Sequence, residues 1–352
     1  GPYPGPVDPI WNNVPAPYGP LFLSLDGWIV QLSGHRELWT IVGLRLLEVA
    51  AVALLAWSLP VLARARGYDP GNAFIMCLLN PLVVLTLVGG AHNDALMVAF
   101  VVAGLALAAR RHPMLGIAVC ALGASIKAPA CLGILYIAWE WRGPGRPVRQ
   151  RLAPLAAAGA ITAAVLAVCT LIAGLGVGWV DNLLTPGTVR SWAAPATGLG
   201  MGAAALLHAA GVHASTNVFI AVSRGLGLAA AGVISLWLLF NADRVGWLKA
   251  LGYSMLAVVV LGPVVQPWYL AWGVLLLAPI ATGRLRGWMI ALSVVSPFIG
   301  LPGGRPELSS FVHAPTLEAG LVLVLLWAVL FAPLGKWSTY DLVPRGAGAG
   351  PA

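Results

Sequence analysis

The sequence predicts an all-α polytopic membrane protein, and three observations carry that expectation. Apolar residues make up 59% of the 352 residues and charged residues only 9%, with a mean hydropathy of +0.88. Apolar stretches recur from end to end, several near the roughly 20 residues that cross a bilayer of about 30 Å. Basic residues crowd into alternate loops, as expected when positive charge stays on the cytoplasmic side. Alternating ten-residue strands are not visible, which argues against a β-barrel. The net charge of +8 is dispersed among short loops, so no nucleic-acid partner is expected. Cys77, Cys120, Cys131 and Cys169 fall inside apolar segments without metal or disulfide spacing. Neither a metal nor another cofactor is expected.

Residues 1–38 read as an outer-face loop followed by an interfacial helix. The start is rich in Pro, Trp and Asn and includes Asp8-Pro9-Ile10-Trp11-Asn12-Asn13 and Ala16-Pro17-Tyr18-Gly19-Pro20. Leu21 to Ser33 is too short to span and suits the membrane surface. Residues 39–335 form the transmembrane domain. Full crossings are expected at 39–63, 72–88, 95–109, 153–175, 216–240, 248–264, 268–282, 287–300 and 316–334, about nine in all. Residues 336–352 are set aside as a cytoplasmic tail or tag remnant, because Leu342-Val343-Pro344-Arg345-Gly346 resembles a protease-cleavable linker.

The run from Met114 to Trp139 lies between Arg110/Arg111 and Arg142, Arg146, Arg149 and Arg151. Both clusters belong inside, so the run must enter the bilayer and return. About 25 residues cannot cross twice as full helices. A re-entrant helical hairpin is therefore expected, breaking near Ser125-Ile126-Lys127-Ala128-Pro129, with Lys127 deep in the membrane. On this scheme the inside holds Arg64, Arg66, Arg110, Arg111, Arg142, Arg146, Arg149, Arg151, Arg244, Lys249, Arg284, Arg286, Lys336 and Arg345. The outside holds only Arg36, Arg190 and Arg305, and Arg45, Lys127 and Arg224 stay in the membrane.

An ionisable residue within the bilayer is expensive and points to function. Lys127 suits an anionic headgroup, and the helix after Pro129 adds its N-terminal dipole. A structural lysine snorkelling to an interface or paired with a carboxylate is the alternative. Arg224 has no acidic partner within four residues and is the second candidate phosphate ligand, since a guanidinium matches phosphate oxygens. Arg45 and Glu48 share a helix face and are expected to pair with each other. His92-Asn93-Asp94 follows Gly89-Gly90-Ala91 at an outer membrane edge. Asp94 or Asn93 could cap the next helix, which leaves His92 unexplained. Gln266-Pro267-Trp268-Tyr269-Leu270-Ala271-Trp272 reads either as an interfacial belt or as a sugar-stacking platform.

Together the strings APYGPLF (16–22), GGAHNDALM (89–97), SIKAPA (125–130) and QPWYLAW (266–272) resemble actinobacterial polyprenol-phosphate-mannose-dependent α-1,6-mannosyltransferases, integral membrane enzymes of the GT-C glycosyltransferase class. The resemblance runs over most of residues 8–335. It implies a GT-C-type fold and an inverting reaction at the outer face of the plasma membrane, with the C-terminus cytoplasmic. The donor would be a polyprenyl-phosphate-mannose, and the acceptor a growing mannan glycolipid of the lipomannan or lipoarabinomannan core. Partners would then be these two substrates and membrane lipids. Lys127 and Arg224 would hold the donor phosphate. Asp94, with His92 and Asn93, would hold sugar or act as base. Trp268 and Tyr269, with Tyr18 and Gln266, would line the sugar pocket.

The resemblance implies an acid in a first outside loop after a first transmembrane helix, and the chain is expected to start after that point. The expectation is that this acid is missing from the chain, or that Asp8, Asp26 or Asp94 takes its place. A transporter or lipid flippase would also use re-entrant helices and buried charges. Repeats between halves would favour it, and none is visible. A non-catalytic assembly subunit, or the same fold acting on another polyprenyl-phosphate sugar, stays open.

Overall fold

The computed structural model describes residues 15–183 and 185–298. Asp8, the loop at 301–315, the crossing at 316–334 and the tail lie outside these residues. Every regular element among the described residues is helical. α1 spans Pro20–Leu32, close to the stretch expected at 21–33, and α2 runs from Glu37 to Ala65. α3 (Pro70–Leu78) is followed by a π-helical segment, Leu82–Gly89, bent 56° away from it. The cause of the bend is local. Asn80 precedes Pro81, a position that disfavours helix. The Asn80 side chain accepts from the Leu82 N–H at 2.9 Å and donates to the Met76 carbonyl at 3.2 Å and to Ser293 Oγ at 2.9 Å. The break is thus satisfied internally, as a membrane interior requires.

α4 (Asp94–Ala109) is the central helix and packs against α2, α5, α6 and α13. Its residues from Asp94 to Ala106 are buried, apart from Phe100. α5 (Pro113–Ala124) approaches it closely at Gly104 and Gly116. A Cβ on Gly104 would lie 2.5 Å from the Gly116 carbonyl oxygen. Small residues at such a crossing let helices pack tightly in lipid. α6 (Cys131–Glu140) returns after a turn at Ser125–Lys127 and a 3-10 turn at Ala128–Ala130. At about 1.5 Å per residue, α5 and α6 are about 18 and 15 Å long, so the expected hairpin of two short helices is present.

α7 (Val148–Ala173), the short α8 (Trp179–Asn182) and α9 (Pro195–Ala209) lead to α10 (Thr216–Phe240). The one-turn α11 (Ala242–Val245) precedes α12 (Trp247–Leu261). The stretch expected to cross at 268–282 is broken into a 3-10 turn (Pro267–Leu270), α13 (Ala271–Leu277) and a second 3-10 turn (Ala278–Ile280). Proline at 267 and 279 accounts for both ends, since it removes a backbone donor. α14 (Gly283–Val295) follows.

Among the described residues, three helices are long and apolar enough to cross a membrane: α2, α7 and α10. The bent pair of α3 and the π-helical segment makes a fourth. The other apolar helices are shorter than a full crossing, so the larger number of full spans expected there is not what the backbone shows. α7 and α10 lie at the periphery. Only 11% of the apolar window of each is buried, and they present Leu171, Val218, Leu226 and Trp237 outward, as lipid-facing helices do.

Charged contacts gather the basic loops at one end. Arg66, at the close of α2, grips Glu140, at the close of α6, through two hydrogen bonds of 2.6 Å. Arg151, near the start of α7, is buried, donates to the Trp139 carbonyl and lies 3.4 Å from Asp243 of α11. The Asp94 and Lys127 ends of α4 and the hairpin point the opposite way.

Candidate functional site

α4 opens on Asp94, which is fully buried. Both of its carboxylate oxygens are taken. Oδ2 accepts from Lys127 Nζ at 2.6 Å, and Oδ1 accepts from the indole N–H of Trp272 at 2.6 Å. Lys127 sits in extended backbone just before the 3-10 turn, so the hairpin turn carries its ammonium to the start of α4. Its position is fixed from the other side by the entry to α1. The Gly19 N–H donates to the Ile126 carbonyl at 3.0 Å, and the Leu21 N–H donates to the Ser125 carbonyl at 3.1 Å. A Cβ on Gly19 would fall 2.4 Å from the Ser125 oxygen, so this docking requires glycine.

Aromatic rings wall the ion pair. Lys127 Nζ lies 4.8 Å from the Tyr269 ring centre and 5.5 Å from that of Tyr18, both within cation–π range. Tyr269 stacks on Trp272 at 4.6 Å and meets Trp268 edge-on at 6.2 Å. Trp268 in turn stacks on His92 at 3.6 Å. An ammonium has three N–H donors. One goes to Asp94, and the flanking groups are ring faces. Burial holds the His92 imidazole down to about 4, against the opposing pull of the Asp94 carboxylate, so it is neutral at neutral pH.

Glu48 and Asn93 complete the cluster. Glu48, on α2, is 2% exposed, lies within electrostatic reach of Asp94 and Lys127, and meets the backbone N–H of Leu96 in the first turn of α4. Asn93 is 3% exposed. One polar atom of each, Glu48 Oε2 and Asn93 Nδ2, is buried without a hydrogen-bond partner. The expected Arg45–Glu48 pair is not formed. Arg45 is exposed and donates to the Val88 carbonyl at 3.3 Å, while Glu48 faces the core.

Of the residues singled out from sequence, Asp94, Lys127, His92, Asn93, Trp268, Tyr269 and Tyr18 meet in this one place. Gln266 caps the 3-10 turn that carries Trp268 and Tyr269, and its carbonyl accepts from the Tyr269 N–H at 3.0 Å. Asp26, half-buried on α1, is within electrostatic reach of Tyr18 but makes no hydrogen bond to these residues, and burial raises its carboxyl above the usual range. Arg224 is elsewhere. Its guanidinium donates to Thr197 Oγ1 at 2.8 Å and to the carbonyls of Gly187 and Val189, all neutral acceptors. Asp8 is outside the described residues. Sequence reading named two further members without giving them this place: Trp272 only as one aromatic of the 266–272 string, and Glu48 only as a partner for Arg45. Trp272 was readable in principle, because it follows Trp268 by four residues and shares its helix face. Glu48 was masked by the nearby Arg45.

The arrangement can present a cation and carboxylates to a polar ligand inside an aromatic wall. Among the described residues no cluster of His, Cys, Asp or Glu could hold a metal.

No solved structure matches the chain. A family model described as "Alpha-(1->6)-mannopyranosyltransferase, N-terminal domain" matches residues 1–143, and one described as "MptB C-terminal domain" matches residues 196–332. The chain is 34% identical over 319 residues to alpha-(1->6)-mannopyranosyltransferase A of Mycobacterium tuberculosis, a match covering 87% of this chain and 61% of the relative. It is 33% identical over 367 residues to a Mycolicibacterium smegmatis protein named a probable alpha-(1->6)-mannopyranosyltransferase, covering 93% and 65%. Alpha-(1->6)-mannopyranosyltransferase B of Corynebacterium glutamicum is 27% identical over 95% of this chain and 59% of its own length. The chain thus spans about three fifths of the length of these curated relatives. Two family matches that account for most of its length, in order, and relatives that bear the same name show that the chain belongs to the alpha-(1->6)-mannopyranosyltransferase family of mycobacteria and corynebacteria.

Proposed function

We propose that the chain houses the reaction centre of a GT-C-type, inverting α-1,6-mannosyltransferase of the plasma membrane. It takes mannose from a polyprenyl-phosphate-mannose donor and passes it to a mannan glycolipid of the lipomannan or lipoarabinomannan core. The observation that carries this reading is the buried Asp94–Lys127 pair walled by Tyr18, Trp268, Tyr269 and Trp272. An acceptor hydroxyl attacks the anomeric carbon, the bond from that carbon to the phosphate oxygen breaks, and the configuration inverts. Lys127 offers its N–H groups to the departing phosphate, where charge develops. A carboxylate must take the hydroxyl proton. On this reading Asp94, whose oxygens also accept from Lys127 and Trp272, takes that proton or holds the sugar. Arg224, at its separate place, is the second candidate ligand for the donor phosphate. Trp268 and Tyr269 stack on sugar.

The outer face is supported by the charge distribution. Arg66, Arg110, Arg149 and Arg151 gather at the end opposite Asp94, and positive charge stays inside. The C-terminus is then cytoplasmic. Lys127→Ala tests the reading directly. It removes a charge-assisted bond to the phosphate, worth about 1.5–3 kcal/mol, so kcat/KM for a polyprenyl-phosphate-mannose should fall roughly tenfold or more. Lys127→Arg should restore part of it. Unchanged transfer by a folded Lys127→Ala protein would overturn the assignment.

A further inference from the structure

We propose that Glu48 and Asn93 form a hydroxyl-binding subsite beside the Asp94–Lys127 pair, and that its ligand is a neutral sugar ring. The proposal rests on the mannosyl-transfer reading and gives that site a sugar-recognising residue, Glu48, which family resemblance did not supply.

Two orphaned atoms carry it. Glu48 Oε2 is a buried acceptor and Asn93 Nδ2 a buried donor, each without a partner, on residues 2% and 3% exposed. Buried polar groups are nearly always hydrogen-bonded, so unmatched ones at a site are evidence of what the site binds. The two residues flank the same structural point. Asn93 directly precedes Asp94, and Glu48 meets the Leu96 N–H in the same first turn of α4. Glu48 therefore occupies part of the helix cap with one oxygen and holds the other free.

The chemistry of the missing ligand follows. The free Glu48 carboxyl oxygen needs a hydrogen-bond partner, and the free amide nitrogen needs an acceptor. A hydroxyl is both at once. A phosphate is better placed against Lys127, on the ring-faced side. The subsite thus divides the labour: Lys127 for the anionic part of a ligand, Glu48 and Asn93 for a hydroxyl of its sugar. Donor mannose and acceptor mannan both carry such hydroxyls.

Binding measurements on the purified full chain in detergent decide the matter, with the fluorescence of Trp268 and Trp272 as reporter. The probes are a methyl α-mannobioside for the acceptor and a short isoprenyl phosphate mannose for the donor. Glu48→Gln and Asn93→Ala should each weaken one of these probes about tenfold, the loss of a hydrogen bond to a charged or buried group. Whichever probe responds identifies the source of the hydroxyl. The double variant should lose little more than either single one, because both contacts go to one hydroxyl. A monodeoxy version of the responding sugar should bind wild type weakly and distinguish it no longer from Glu48→Gln. Unchanged affinity for both probes, with only a lower thermal midpoint, would make Glu48 merely a cap for α4 and overturn the subsite. Fully additive losses would overturn it as well. The outcomes separate from those of the broader reading. Sugar binding that depends on Glu48 but comes without transfer would sink mannosyl transfer and leave the subsite standing. Transfer with Glu48-independent sugar affinity would do the reverse.

Discussion

Lys127 donates to Asp94 across 2.6 Å although 33 residues separate them, with Asp94 fully buried and Lys127 nearly so. Read from sequence, the two belong to different depths, Lys127 deep in the bilayer and Asp94 at its outer edge. The structure puts them at one level. α4 is 16 residues and α5 is 12, so a chain that leaves Asp94, turns at Arg110 and returns along α5 comes back most of the way to its start. The turn covers the rest.

The pair should show the asymmetry of buried ions. Removing one partner leaves an uncompensated buried charge, at a cost of about 3–5 kcal/mol, whereas replacing both with apolar side chains is often close to neutral. Lys127→Met and Asp94→Leu should each lower the thermal midpoint of the purified protein markedly. The Lys127→Met/Asp94→Leu double variant should recover most of that loss while remaining inactive. A double variant less stable than either single one would mean that the ions hold the fold through contacts beyond each other.

How far the sequence revealed this depends on the kind of signal. Charge runs are one-dimensional, so the arginine clusters that meet around Glu140 and Asp243 were legible, as was a hairpin breaking near Ser125. The kink before Leu82 is also readable in hindsight, because Asn80-Pro81 cannot continue a helix. The rotation of α2 was not. That helix is apolar around its circumference, so spacing alone could not say that Arg45 faces outward while Glu48 faces in. Co-location of Tyr18, Asp94, Lys127 and Trp268 entered the sequence reading only through resemblance, since no periodic pattern links four separate segments.

His92 makes folding pH-dependent. Its imidazole is held at about 4, below the ordinary 6.5, chiefly by burial against Trp268. Between these values the unfolded chain binds a proton that folded His92 does not. Its contribution is therefore present above about 6.5 and is lost as pH falls toward 4. Between pH 7.5 and pH 5 the thermal midpoint of the wild type should therefore fall relative to that of His92→Gln. Asp26, whose carboxyl is raised by burial, acts in the opposite sense but is present in both proteins and cancels in the comparison. Identical pH slopes for the two proteins would contradict the neutral, buried imidazole.

Arg224 poses a choice between scaffold and ligand. A guanidinium has five N–H donors. Three are spent on Thr197, Gly187 and Val189, which ties the 185–190 segment to α10. Two remain for a phosphate. Arg224→Ala should therefore speed amide exchange at 185–190 and also raise KM for the lipid-phosphate donor about tenfold. Faster exchange with an unchanged donor KM would leave Arg224 as scaffold alone.

Trp272 offers the narrowest test of the centre. Its indole N–H is one of two donors on Asp94, while its ring stacks on Tyr269. Trp272→Phe removes the donor and keeps much of the ring. Asp94 then retains Lys127 but loses the contact that fixes its second oxygen. A hydrogen bond to a charged group is worth about 1.5–3 kcal/mol, so stability should fall by that order. If Asp94 works by holding a substrate in one orientation, kcat should fall with it, because a small misplacement of a reacting group is costly. Trp272→His restores an N–H at a shorter reach and should recover less than full activity. A Trp272→Phe protein as active as wild type would show that Lys127 alone orients the carboxylate.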